Sequence, residues 1–93
     1  MRHFIIVKWK DAAKMKALTG EIEALFKKTL DIPGIYSVDV HPSCSDRPNR
    51  HDLMIEIGME KTALPVYDGC EPHHIWKDRY GSEIAHKAVF DCE

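Results

Sequence analysis

The residues best suited to chemistry in this chain are histidines, and two stand side by side in Glu71-Pro72-His73-His74-Ile75-Trp76. Proline is tolerated in the first turn of a helix, where its missing N–H would have no partner. The segment therefore reads as a helix start, with both imidazoles near the positive end of the helix dipole. That field disfavours the imidazolium and leaves a neutral ring able to take up a proton. His74 is the candidate general base, a role that needs a substrate proton within hydrogen-bond reach. Tyr67 is a candidate donor to a developing oxyanion, and serves equally well as a core aromatic with a wet tip. His3, on a facing strand, could share the same cavity. Trp9, Phe26 and Trp76 would wall a small apolar pocket, and the same three residues would also serve as core.

Other chemistries find less support. Among the six histidines there is no H-x-x-x-H or H-E-x-x-H pair, the spacings that place two imidazoles on one metal. His73 and His74 point about 100° apart on a helix, which leaves Glu71, His73 or Asp78 as a minor alternative set. Neither metal nor cofactor is expected. Cys44, Cys70 and Cys92 form an odd, widely spaced set without a C-x-x-C pair, so a disulfide framework is not expected and a reducing compartment fits. Cys70 lies close to the helix start but reads as an ordinary small residue rather than a reactive thiol.

Net charge is −2 and the 13 basic residues are scattered, which argues against a nucleic-acid partner, since phosphate binding needs a concentrated basic face. No apolar run reaches the about 18 residues that a membrane span requires. The apolar stretch Phe4-Ile5-Ile6-Val7 ends at Lys8, too short for a signal peptide and better read as strand. A cytoplasmic protein is expected.

The elements that must position these side chains follow from periodicity. Residues 1–93 make a single domain with a modest core, and a second copy covering an exposed sheet face would help to stabilise it. His3 to Lys10 alternates imperfectly, with Phe4 and Ile6 making even the second face apolar, as in a strand covered on both sides. Asp11 is a plausible N-cap for a helix to about Thr29, carrying the stripe Met15, Leu18, Ile22, Leu25 and Phe26. Asp31-Ile32-Pro33-Gly34 turns the chain. Ile35 to His41 is a second strand with Tyr36, Val38 and Val40 on one face; Pro42 to Arg50 is a polar loop; His51 to Met59 is the third strand, with Leu53, Ile55, Ile57 and Met59 inward. A second helical region begins near Thr62, breaks at Gly69 and restarts at Pro72 as far as about Gly81. His86 to Cys92 completes the set as a short strand. The order is β-α-β-β-α-β, an α+β ferredoxin-like arrangement with a four-stranded antiparallel sheet.

His3-Phe4-Ile5-Ile6-Val7-Lys8-Trp9-Lys10, Ile32-Pro33-Gly34, Ser45-Asp46-Arg47, His51-Asp52-Leu53 and Pro72-x-His74 occur in this order along the whole chain. In that order they resemble the stress-responsive α/β-barrel (Dabb) domain family. The resemblance implies a ferredoxin-like subunit whose sheet packs face to face with that of a second subunit, giving a dimeric α/β barrel. Phe4, Ile6, Met54 and Val89 are the expected homodimer contacts, with Asp39, His41 and Glu56 beside them. The resemblance further implies a cavity between sheet and helices. One family member that cyclises a polyketide thioester has cavity histidines matching His3 and His74. Its catalytic tyrosine falls near Tyr67, which stands five residues before Pro72 where the family has four, so that either Tyr67 or Asp68 points into the cavity. Two positions depart from that enzyme: Glu71 replaces a histidine before the proline, and Leu53 replaces a cavity histidine on the third strand. The expectation is a small dimeric protein binding an apolar or carbonyl-containing metabolite, with Trp9, Phe26, Leu53 and Trp76 lining the site. The alternatives are a non-catalytic, stress-associated dimer module and a cyclase-like acid/base enzyme using His74 and Tyr67.

Overall fold

In the computed structural model, which describes residues 1–93, strand β1 (Arg2–Trp9) is hydrogen-bonded along both of its edges. Strand β3 (Leu53–Met59) pairs with one edge and β4 (Ile84–Cys92) with the other, while β2 (Ile35–Pro42) lies outside β3. Every pairing is antiparallel. β1 and β2 therefore run the same way with β3 inserted between them, and the helical segment joining them crosses one face of the sheet.

Strand alternation sorts the side chains into two faces. His3, Ile5, Val7 and Trp9 of β1 are buried together with Leu53, Ile55, Ile57 and Met59 of β3. Each large aliphatic side chain so buried contributes about 1.5–3 kcal/mol relative to exposure. The helices cover this face through Met15, Ile22, Leu25 and Phe26 from the first crossover and Trp76 and Tyr80 from the second. The Tyr80 hydroxyl donates to Glu21, tying the two helical layers together at the surface.

The single helix expected from Asp11 to about Thr29 is in two pieces, α1 (Ala12–Lys16) and α2 (Thr19–Lys27), followed by a 3-10 turn at Lys28–Asp31. Asp11 caps α1 as expected, its carboxylate accepting the Lys14 N–H at 3.0 Å. The break falls at Ala17-Leu18, ahead of Gly20. There the Thr19 hydroxyl donates to the Lys16 carbonyl at 2.9 Å, a local side-chain bond of the kind that competes with the helical ladder. The apolar stripe survives the break, with Leu18 only half-buried. The second helical region is a 3-10 turn at Lys61–Ala63, then α3 (Leu64–Asp68) and α4 (Glu71–Tyr80), each with a proline in its first turn. Thr62 does not cap α3.

Two irregularities shift side chains from their expected faces. Between the pairs Ile35–Met59 and Ser37–Gly58, β2 carries one extra residue, Tyr36. This bulge puts Ile35 in the core and throws Tyr36 out to 59% exposure instead of leaving it beside Val38. A Cβ on Gly58 would lie 2.3 Å from the Ser37 hydroxyl oxygen, so any larger residue opposite the bulge requires that hydroxyl to turn away. On β4, which starts at Ile84 rather than His86, the register slips by one residue beside Lys8 and Trp9. Val89 pairs with Ile5 and so lies on the helix side, not on the open face where it was expected. Phe90, paired with Phe4, takes that place.

The turn into β2 depends on Gly34, whose φ of 92° lies in the left-handed region. A Cβ there would also meet the Ala63 Cβ at 3.2 Å. Gly34→Ala is therefore expected to lower stability by about 1–2 kcal/mol, read as a reduced urea midpoint at an unchanged m-value.

Candidate functional site

Three rings and a carboxylate meet where the first and last strands pair. His3 is 6% exposed, and its Nδ1 lies 2.5 Å from Oδ1 of Asp91, its register partner on β4. The carboxylate fixes the orientation of this imidazole. The Tyr67 ring, from α3, packs edge-on against His3 with centroids 5.4 Å apart. On its other side Tyr67 stacks at 4.8 Å on His73 from the first turn of α4. The His73 Nδ1 donates to the Asp68 carbonyl at 2.9 Å. With Nδ1 committed as donor, the His73 Nε2 of the neutral ring carries the free lone pair.

Tyr67 is the unusual member of this group. Its side chain is 1% exposed, and its hydroxyl has no hydrogen-bond partner. Burial pushes its pKa well above the usual phenol range, with the Cys70 thiol and the Asp68 carboxylate adding to the shift. The hydroxyl is consequently a neutral donor with no acceptor. Such a group costs about 1–3 kcal/mol relative to a satisfied one.

Tyr67 points inward and Asp68 is exposed, which settles the choice between them. His3 is brought to Tyr67; His74 is not. His74 is exposed on the outer side of α4, and only its backbone N–H is engaged, with the Cys70 carbonyl at 3.2 Å. The reason is spacing. The resemblance places a tyrosine, a proline four residues on and a histidine two beyond that, six residues in all. Tyr67 to His73 is also six residues, so the extra residue in this chain displaces Pro72 and not the Tyr67–His73 contact. The Gly69-Cys70 junction between α3 and α4 absorbs it. Asp91 is the member that sequence reasoning missed, because it becomes visible only once β1 and β4 are paired in register.

The ligand-lining residues are divided. Phe26 and Trp76 are core, packed edge-to-face at 5.1 Å. Trp9 joins them at 6.0 Å from Trp76, and with Leu53 it also borders an open groove of about 480 Å³. Ala12, Lys16, Ser43 and Asp52 form more of its wall. This groove lies at the Trp9 end of β1, about 20 Å along the strand from His3. In place of one cavity holding all of these residues there is a polar cluster at one end of β1, with His3 and Tyr67 buried and Asp91 exposed, and a groove at the other.

No family model and no curated protein matches this chain. Solved structures do. A dimeric ferredoxin-like protein of unknown function from Bacteroides fragilis superposes with a TM-score of 0.81 at 11% identity, over 99% of this chain and 93% of that one. A Dabb family protein from Mesorhizobium loti, also of ferredoxin-like fold, matches with a TM-score of 0.65 at 15% identity, over 99% and 93% of the two chains. The fold is ferredoxin-like, as it is in that Dabb protein. A hydroxynitrile lyase from Passiflora edulis shares it too, with a TM-score of 0.72 at 15% identity over 96% of this chain and 87% of that one.

The Tyr67 hydroxyl makes two predictions for the ligand-free protein. Tyr67→Phe is expected to raise stability by about 1 kcal/mol, because it removes an unpaired buried donor. The folded state holds the Tyr67 proton at pH values where the unfolded chain releases it. Below about pH 10 this linkage costs nothing, and as pH rises beyond that the wild type loses stability relative to Tyr67→Phe. Tyr36 and Tyr80 are shifted in the same direction, so the wild-type minus Tyr67→Phe difference in urea midpoint, measured from neutral to alkaline pH, isolates Tyr67.

Proposed function

We propose that this protein is a homodimer formed through the open face of the sheet, each subunit binding one small carbonyl-containing and otherwise apolar molecule beneath α3 and α4. The observation that carries the ligand reading is the buried Tyr67 hydroxyl without an acceptor, set between two imidazoles. Unpaired buried donors are rare in folded proteins, and a functional partner is one of the reasons they persist. A carbonyl oxygen is the complementary group, since it only accepts. His73, with its Nε2 lone pair, stands beside the donor as an acceptor for a proton next to that carbonyl. The His3–Asp91 couple holds the opposite wall. Such an arrangement is compatible with enolisation of the bound molecule, with Tyr67 supporting the oxyanion. Entry requires α3 to move, and a helix of five residues followed by Gly69 is the kind of element that opens at low cost.

The dimer reading rests on the open face. Phe4, Ile6, Met54, Ala88 and Phe90 form an apolar strip there, which sheets facing water on that side do not need. At its margin Arg2 reaches Glu56 at 2.7 Å and His41 reaches the same carboxylate at 3.2 Å. The Bacteroides fragilis neighbour is itself dimeric. Cys44, Cys70 and Cys92 are all free, which fits a reducing compartment such as the cytoplasm. No helix is long and apolar enough to cross a membrane.

A second reading, a non-catalytic dimer module, is favoured by the enclosure of the Tyr67 hydroxyl and by the position of the groove at the other end of β1. Titration of ¹⁵N-labelled protein with straight-chain aldehydes and methyl ketones separates the two. Under the ligand reading, amide shifts centre on Tyr67, Gly69 and His73, Tyr67→Phe weakens binding about tenfold, and His74→Ala leaves it unchanged. Binding by Tyr67→Phe equal to wild type, or no shifts at all, would move the conclusion to the non-catalytic module. For assembly, Ile6→Glu is expected to give monomers by light scattering. A soluble dimer of unchanged stability would remove the proposed interface.

A further inference from the structure

One pair of side chains on the open face belongs neither to the Tyr67 cluster nor to the apolar strip. His51, just ahead of β3, places its Nε2 2.9 Å from the Nδ1 of His86 on β4. The two residues come from opposite flanks of β1 and meet over it, with ring centroids 5.1 Å apart. The register slip of β4 beside Lys8 and Trp9 sets His86 there, opposite Lys8. The pair lies beyond the Ile6–Ala88 end of the apolar strip, and within one chain both rings contact solvent, where a hydrogen bond between them stabilises the fold very little.

We propose that His51 and His86 form a two-imidazole site for a borderline divalent transition-metal ion, Zn²⁺ or Ni²⁺, with water completing the coordination sphere. Imidazole nitrogens bound to such an ion at about 2.0–2.1 Å in tetrahedral geometry stand about 3.3 Å apart. The observed 2.9 Å needs only a small opening of the pair. Metal ligation uses the neutral rings. Lys8 stands opposite His86 in the β1–β4 ladder, and Arg50 immediately precedes His51. Their own cationic groups are directed elsewhere, Lys8 Nζ to the Arg50 carbonyl at 2.9 Å and Arg50 Nη1 to the Asn49 amide oxygen at 2.7 Å. The neighbouring Asp52 carboxylate accepts the Trp9 N–H at 2.8 Å. No third histidine, cysteine or carboxylate joins the pair, so the site keeps open positions for water or an incoming ligand. On binding, the proton shared between the two nitrogens moves through solvent to the far nitrogen of its own ring. Both facing lone pairs then go to the ion, with no net proton release.

Calorimetric titration of the purified, chelator-stripped protein with ZnCl₂, and separately with NiCl₂, tests this. A single ion per chain is expected. Loss of either imidazole removes the intramolecular second contact, so His51→Gln and His86→Gln should each weaken binding on the order of 10²-fold. His74→Gln, which alters another exposed histidine, should bind as wild type does. Circular dichroism and unchanged elution of the variants confirm that the fold is retained. No binding by the wild type at millimolar metal, or equal binding by wild type and both pair variants, would overturn the site.

Discussion

Hydrogen bonding along both edges of β1 is the constraint on which the rest of this structure depends. A strand paired on both sides cannot rotate about its axis or slip by one residue without reversing every side chain it carries. The alternation from Arg2 to Trp9 is therefore translated rigidly into two surfaces. One holds His3, Ile5, Val7 and Trp9 under the helices. The other presents Phe4 and Ile6 to whatever covers the sheet. The polar cluster, the groove and the open strip are all fixed by that single assignment, because each is built from residues that touch β1 or its immediate partners.

The same constraint explains what sequence could and could not reveal. Element order, the inward faces of β1 and β3 and the Asp11 cap were legible, because each is a local pattern of period two or 3.6 or a short-range cap. The break at Ala17-Leu18 was not, since it depends on the Thr19 hydroxyl choosing a carbonyl three residues back. Tyr36 lies off its expected face because an inserted residue leaves composition unchanged and inverts the alternation, and Val89 lies off its expected face because only the register of β4 on β1 places it opposite Ile5. At the candidate site, His3 and Tyr67 were legible. Anchoring on Pro72 selected His74, whereas the contact follows the spacing from Tyr67 and selects His73. Asp91 carried no local signal at all, because its partner is 88 positions away.

Fold alone says little about chemistry here. A hydroxynitrile lyase and proteins of unknown function share this architecture, as expected where function resides in side chains grafted on a common frame. What distinguishes this chain is the division of its features along β1. The polar groups sit beneath a pair of short helical pieces at one end, and the apolar aromatic cluster of Trp9, Trp76 and Phe26 is packed solid at the other. Aromatic rings interlock at one end, and the unsatisfied donor lies at the other under a helix of only five residues.

The His3–Asp91 couple joins the third residue to the ninety-first, with Arg2 facing Cys92 in the same ladder. Facing residues of an antiparallel pair have Cα atoms about 5 Å apart, so the two ends of the described chain lie side by side. The polar cluster is thus stitched together from both of them. A cut just before Asp91 would remove its carboxylate while leaving the helices and the aromatic core untouched. The same closeness means that Met1 and Glu93 could be linked, and the chain opened in the loop between β2 and β3, with this ladder kept intact.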